Sequence, residues 1–226
     1  MTPTASESLS LRLRFEKRGP IRFISHLDLT RAFHRAFIRA DLPLKYSEGF
    51  SPHPRFSIAL PLSVGTESMA EFADVTLQQG FSLPFDEIRS RLQDALPTGI
   101  TLVSVSEQTE KFSAIHAASY QVTLPNADPA AADTILPALQ GSITVKKRNK
   151  KGKTIEKEIS QAILSVKAEA KDGGVLLDLC LAANAEDYLK PETVLSVLGE
   201  RLSGLDQSEK RILRTAVWLS DMTIFE

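Results

Sequence analysis

Two histidines stand where their neighbours could give them work. His26 opens "SHLDL", the first position of an expected helix, where the positive end of the helix dipole disfavours the imidazolium. A neutral imidazole there is the state a general base needs. Asp28 either orients it or completes the helix cap. His53 lies in "YSEGFSPHPRF", residues 46–56. Pro52 and Pro54 fix their own φ and push Ser51 and His53 into extended backbone, so the loop is stiff. Gly49 supplies the positive φ that turns the chain into it. Tyr46, Phe50 and Phe56 either pack beneath this loop or stack on a ligand, and Ser47 and Arg55 flank them. A self-packed loop with His53 bonded internally is the structural alternative. Cofactor-free RNA cleavage would need a base beside the attacking hydroxyl and a cation for the phosphorane charge, roles open to His26 with Arg55 or Arg22.

Other chemistries are disfavoured. His26 and His34 are eight residues apart, more than two helical turns, and no H-x-x-x-H or C-x-x-C pair exists, so no metal site is expected. Cys180 is the single cysteine, which rules out an intrachain disulfide and leaves too few thiolates for an iron–sulfur cluster. Its setting, "GVLLDLCLAA", reads as an inert strand residue. Neither a P-loop nor a dinucleotide fingerprint is present, and no cofactor is expected.

Charge is segregated. The chain's net charge is −1, yet residues 11–55 hold ten basic side chains against four acidic ones. Arg31, Arg35 and Arg39 recur every four residues along one helix face. A second run, Lys146, Lys147, Arg148, Lys150, Lys151 and Lys153, sits at an expected hairpin tip. Such clusters point to an anionic partner, or to solvated faces and edge protection.

The elements that must position these residues are legible from periodicity. Leu9, Leu11, Leu13 and Phe15 alternate with polar residues as a half-buried strand, which "PIRFI" extends or pairs with. Ser25 caps a helix whose inner face is Leu29, Ala32, Phe33, Ala36, Phe37 and Ala40, with Ile24 stapled to Leu29. "FSIALPL" and "AEFADVTLQ" are strands, a helix capped by Ser82 with Pro84 in its first turn follows, and "GITLVSVSEQ" closes the set. The order β-α-β-β-α-β is the ferredoxin-like pattern. It recurs loosely after a linker near 109–118, with a helix weakened by Pro137, a hairpin turning at Asn149–Gly152, a second hairpin at "KDGG", a helix begun by Pro191, and a last strand "RILRTAVWLSD". The expected fold is α+β: two tandem ferredoxin-like (βαββαβ-type) sandwiches with largely antiparallel sheets, spanning 1–110 and 116–226.

At 226 residues, 42% hydrophobic and 24% charged, the composition is that of a soluble globular protein. No apolar run approaches the ~20 residues of a membrane span. "MTPTASES" lacks the features of a signal peptide, so a cytoplasmic protein is expected.

"RFISHLDL", "LPLKYSEGFSPHP" and "ALPLSVGTES" together resemble the radical SAM-linked protein family, bacterial proteins of unknown function found alone or fused to radical SAM proteins. "ALPTGI" and "ILRTAVWL" match it more weakly. The resemblance implies association with a radical SAM protein and no established reaction. A distant similarity, of architecture alone, is to the CRISPR RNA-processing endonucleases. The expected function is a non-catalytic accessory or substrate-binding module for a radical SAM enzyme, holding RNA or another anion through Arg22, His26, Arg31, Arg35, Tyr46, Ser47, Gly49, Phe50, His53 and Arg55. The alternative is an RNA-processing or RNA-modifying enzyme using His26 or His53. His26, Tyr46, His53 and Arg55 are expected to share one concave site.

Overall fold

The computed structural model describes residues 8–148 and 154–226. The "MTPTASE" start, the Asn149–Gly152 turn and Lys150, Lys151 and Lys153 of the basic run lie outside the described residues. The architecture is mixed α/β with antiparallel strand pairing. It divides into two compact units, one running through Phe112 and including Glu226, the other Ser113–Phe225.

The first unit contains β1 (Ser10–Lys17), α1 (His26–Arg39), β2 (Phe56–Ile58), β3 (Thr66–Thr76), α2 (Phe85–Ala95) and β4 (Ile100–Glu107). Its strands lie in the order β4-β1-β3-β2, every neighbouring pair antiparallel. Leu11, Leu13 and Phe15 alternate onto the face that packs with Leu29, Phe33, Ala36 and Phe37 of α1 and with Ile88 and Leu92 of α2. Phe15 meets Phe33 edge-on at 4.9 Å, and Phe33 meets Phe56 at 5.3 Å. Each such pair adds about 0.5–1.5 kcal/mol beyond the area it buries. Ser25 caps α1 as expected: its Oγ accepts from the Asp28 amide at 3.1 Å and donates to the Asp28 carboxylate at 2.7 Å.

Three local expectations are corrected. "PIRFI" is not a strand but lies in a 3-10 turn over Gly19–Phe23, because Pro20 has no N–H for a ladder and Gly19 turns the chain at φ 73°. Of "FSIALPL" only Phe56–Ile58 pairs; Leu60 sits at φ 42° and Pro61 follows, which ends the ladder. Ser82 does not cap α2. The helix starts at Phe85 after Pro84, which holds Leu83 out of helical backbone, and the buried Ser82 Oγ has no hydrogen-bond partner.

The second unit contains β5 (Ile115–Leu124), α3 (Ala132–Ala138), β6 (Thr144–Arg148), β7 (Thr154–Glu158), β8 (Ile163–Lys171), β9 (Gly174–Ala182), α4 (Pro191–Arg201) and β10 (Arg211–Leu219). Four strands lie in the antiparallel order β10-β5-β9-β8, and β6 and β7 form a separate hairpin. The β8–β9 turn carries Asp172 and Gly173 at φ 51° and 80°, the backbone a two-residue hairpin turn demands. Cys180 is buried on β9, and burial pushes its thiol pKa up.

Glu158 pins the base of the β6–β7 hairpin. Its carboxylate accepts from the Ser142 and Ser160 hydroxyls and from the amides of Ile143 (2.9 Å) and Ser160 (3.0 Å). Bonds from Ser142 and Ser160 hold its pKa down at about 2, against 4.5 unperturbed. A depressed carboxylate contributes stability that is complete above its unfolded pKa and lost as pH falls through the folded one. The hairpin base is therefore expected to hold at pH 4.5 and to loosen towards pH 2. Carbon-13 NMR of the Glu158 carboxyl checks this, and a midpoint near 4.5 would contradict it.

Candidate functional site

The 46–55 loop is closed by its own backbone. Tyr46 bridges Pro54, the Ser47 amide donates to the His53 carbonyl at 2.8 Å, and the His53 amide donates to Ser47 Oγ at 3.0 Å. Below this neck, Arg55 donates to the Lys45 carbonyl and Lys45 to that of Thr76, both at 2.8 Å, anchoring the loop to the end of β3. Gly49 turns the tip at φ 124°, a conformation costly for any side chain with a Cβ. The side chains point the other way. Phe50 is fully exposed, and Tyr46, Glu48, Ser51, His53 and Arg55 are exposed too, with Ser47 and Pro54 half-buried. Phe56 alone of the three aromatics packs beneath, against Phe33, His34 and Phe37. Tyr46 also borders an open groove of about 530 Å³ with Ile38, Pro43 and Phe81.

His26 is exposed at the start of α1. Asp28 does not orient it. That carboxylate is engaged by Ser25 and by Arg31 at 3.1 Å, and these bonds lower its pKa, Ser25 first. Beneath His26 is a cavity of about 10 Å³, room for at most one water, lined also by Lys17, Ile24, Leu29, Pro61, Leu62 and Glu71. Lys17 and Glu71 are only 2% and 1% exposed. Neither belongs to the residues expected from sequence, although Lys17 continues the inward alternation Leu11-Leu13-Phe15, a position where a cation is unusual.

His26 and the loop do not form one site. The loop follows the C-terminal end of α1, whose fourteen residues span about 21 Å, and is anchored at Thr76, opposite Ser10 in register. His26 lies by Lys17, at the other end of β1. The expected concave site joining His26 to Tyr46, His53 and Arg55 is therefore two surfaces.

The basic surplus is partly neutralised. Arg12 and Lys17 are buried, and Arg22 lies 3.7 Å from Glu67 and over the Phe23 ring. Arg31 pairs with Asp28, and Arg39 donates to the Ala95 carbonyl at the end of α2. Arg35 remains exposed on the helix face. In the second unit Lys146 is exposed on β6, and Lys147 and Arg148 continue that strand. His34 is half-buried: burial lowers its pKa, and its ring packs edge-on against Phe56 at 5.4 Å. Among the described residues no group of three or more His, Cys, Asp or Glu side chains could hold a metal ion. Nor is any described helix long and apolar enough to cross a membrane.

A cleft that sequence patterns did not indicate opens in the second unit between β6 and α4, about 720 Å³ in volume.

A solved structure of an unknown protein from Galdieria sulphuraria aligns over 91% of this chain and 96% of its own, with 15% identity and a TM-score of 0.27. No curated protein matches. A family model, DUF2344, described as an uncharacterized protein conserved in bacteria, matches residues 10–191. The chain belongs to this bacterial family.

Proposed function

We propose that the chain is a non-catalytic binding module that serves a radical SAM enzyme and holds an anionic substrate, RNA foremost, on its 46–55 loop. One observation carries this: the loop's neck is closed by its own hydrogen bonds while Tyr46, Phe50, His53 and Arg55 are exposed to solvent. A fully exposed Phe50 forgoes the roughly 1.5–3 kcal/mol its burial would contribute, which is the arrangement of a residue kept for a partner. Exposed aromatics beside arginine suit stacked bases and their phosphates. The stiff loop loses little conformational freedom on binding. The order β4-β1-β3-β2, matched by β10-β5-β9-β8, supports two ferredoxin-like units as the scaffold. Radical SAM association rests on the family resemblance, and co-purification with such an enzyme tests it.

The enzymatic alternative requires a base and a charge stabiliser to converge. With His26 as the base, Arg55 is too remote to stabilise the charge, because it lies with the loop at the other end of α1.

Fluorescence anisotropy with labelled single-stranded oligo-uridine tests the loop. Phe50→Ala is expected to weaken binding about 5- to 150-fold, the stacking loss for one base. Arg55→Ala should also reduce the slope of log affinity against log salt by roughly 1. Unchanged affinity in Phe50→Ala would remove the loop from the surface. Discrete RNA products from the isolated protein, lost in His26→Ala or His53→Ala while the fold persists, would establish the enzyme instead.

A further inference from the structure

The β6–α4 cleft falls within the roughly 300–1,000 Å³ range of ligand sites. One wall is Thr193, Ser196, Val197 and Glu200, whose spacing places them on a single face of α4. The other includes Thr144, Val145 and Lys146, successive residues of β6. Successive side chains of a strand point to opposite faces, so three in a row bordering one space include the strand's edge. Among the described residues β6 pairs with β7 alone. The Ile159 amide donates to the Ile143 carbonyl at 2.9 Å, which sets the phase of the ladder. Antiparallel alternation then aims the Val145 backbone groups at β7 and those of Thr144 and Lys146 outward.

The cleft is held open. Glu158 fixes the hairpin base, Arg201 of α4 donates to the carbonyls of Ala138 (2.8 Å) and Ser142 (3.1 Å), and Lys157 pairs with Asp187 at 2.7 Å. Without such ties, walls that include Val145, Ile159, Leu189 and Val197 would close on each other in water.

We infer that this cleft takes an extended, acidic segment of a partner protein, which adds to β6 as a further strand and packs against α4. The open backbone edge specifies a strand. Charge specifies its character: Lys146 is the charged residue of β6 on the cleft, Lys190 borders it too, and Lys157 is paired with Asp187. Opposite charges across a strand pair are favourable and like charges are not. The carboxylates Glu192 and Glu200 are on the α4 wall, so the segment's acidic residues belong on its β6 side. The inference is independent of the 46–55 loop, and loss of RNA binding in Phe50→Ala would not touch it.

The probe is a display library of random linear peptides selected against the full chain, with affinities then measured by calorimetry. Acidic sequences binding one per chain are expected, with the Thr144 and Lys146 amides newly protected from hydrogen exchange. Lys146→Pro removes one outward amide, keeps the bonds to β7, and should weaken binding about tenfold, the upper range for one hydrogen bond. Lys146→Ala keeps that amide and should weaken it less. Ser196→Trp, at an exposed position on α4, should block the cleft and abolish binding, with circular dichroism confirming that each variant is folded. A library yielding no binder, peptides that bind Ser196→Trp as well as the parent, or unprotected Thr144 and Lys146 amides would overturn the inference. So would protection of those amides by oligo-uridine in place of peptide, which would assign the cleft to nucleic acid.

Discussion

Asp74→Ala is expected to destabilise the first unit by about 3–5 kcal/mol, the cost of leaving a buried charge without its partner. Arg12, 1% exposed on β1, donates through Nε and Nη2 to the two Asp74 oxygens at 2.9 and 3.0 Å. The same guanidinium donates to the Glu110 carbonyl and lies 4.9 Å from the centre of the Phe112 ring. Gln108 also donates to Asp74, at 2.8 Å. Those remaining contacts hold Arg12 in place after the substitution, so its charge cannot simply swing into water. The exposed pair Arg31–Asp28 is the contrast, and Arg31→Ala should cost no more than about 1 kcal/mol. Urea unfolding measures both. An Asp74→Ala midpoint equal to that of Arg31→Ala would show that the pair is not a determinant of stability.

This pair marks where the sequence stops being legible. Strand alternation in residues 9–15, the Ser25 cap and the inner stripe of α1 are local patterns, and they predict the elements they form. Arg12 sits at an outward position of that alternation; its burial depends on residues 108–112, which no local pattern connects to it. The charge surplus overstates the free positive surface for a related reason. Counting residues 11–55 cannot show that Arg22 has Glu67 beside it or that Arg39 reaches α2. The turn in the 46–55 loop was readable from Gly49, whereas the outward aim of Phe50 and the inward aim of Phe56 required the β2–β3 pairing. The β6–α4 cleft was not readable at all, since its two walls come from segments far apart in the chain. A regularity does emerge across the units. In each, the segment between the first helix and the second paired strand is the elaborated one, a loop at 46–55 in one and the β6–β7 hairpin in the other. The two units thus share a strand order and carry two different elaborations at one topological position.

The other large effect is expected beneath His26. Lys17 and Glu71 lie on the helix-covered face of the sheet, almost wholly buried, and border one cavity too small to hold more than a water. Opposite charges that border one dry space offset part of each other's dehydration cost, beside the other contacts each makes. Lys17→Met and Glu71→Leu are therefore each expected to cost about 3–5 kcal/mol, because each leaves one buried ion without the opposite charge that borders its cavity. The double variant replaces both ions with apolar groups and should unfold within about 1–2 kcal/mol of the parent, or be more stable. Urea denaturation across the four proteins gives the coupling directly. Additive losses would mean that the two charges answer to different partners. The same four proteins separate architecture from binding. If Lys17 and Glu71 serve the fold alone, the folded double variant should bind oligo-uridine like the parent, because the 46–55 loop lies at the far end of α1. Loss of binding in that folded variant would instead make the cavity under His26, and the strained Leu60 segment beside it, part of the recognition surface.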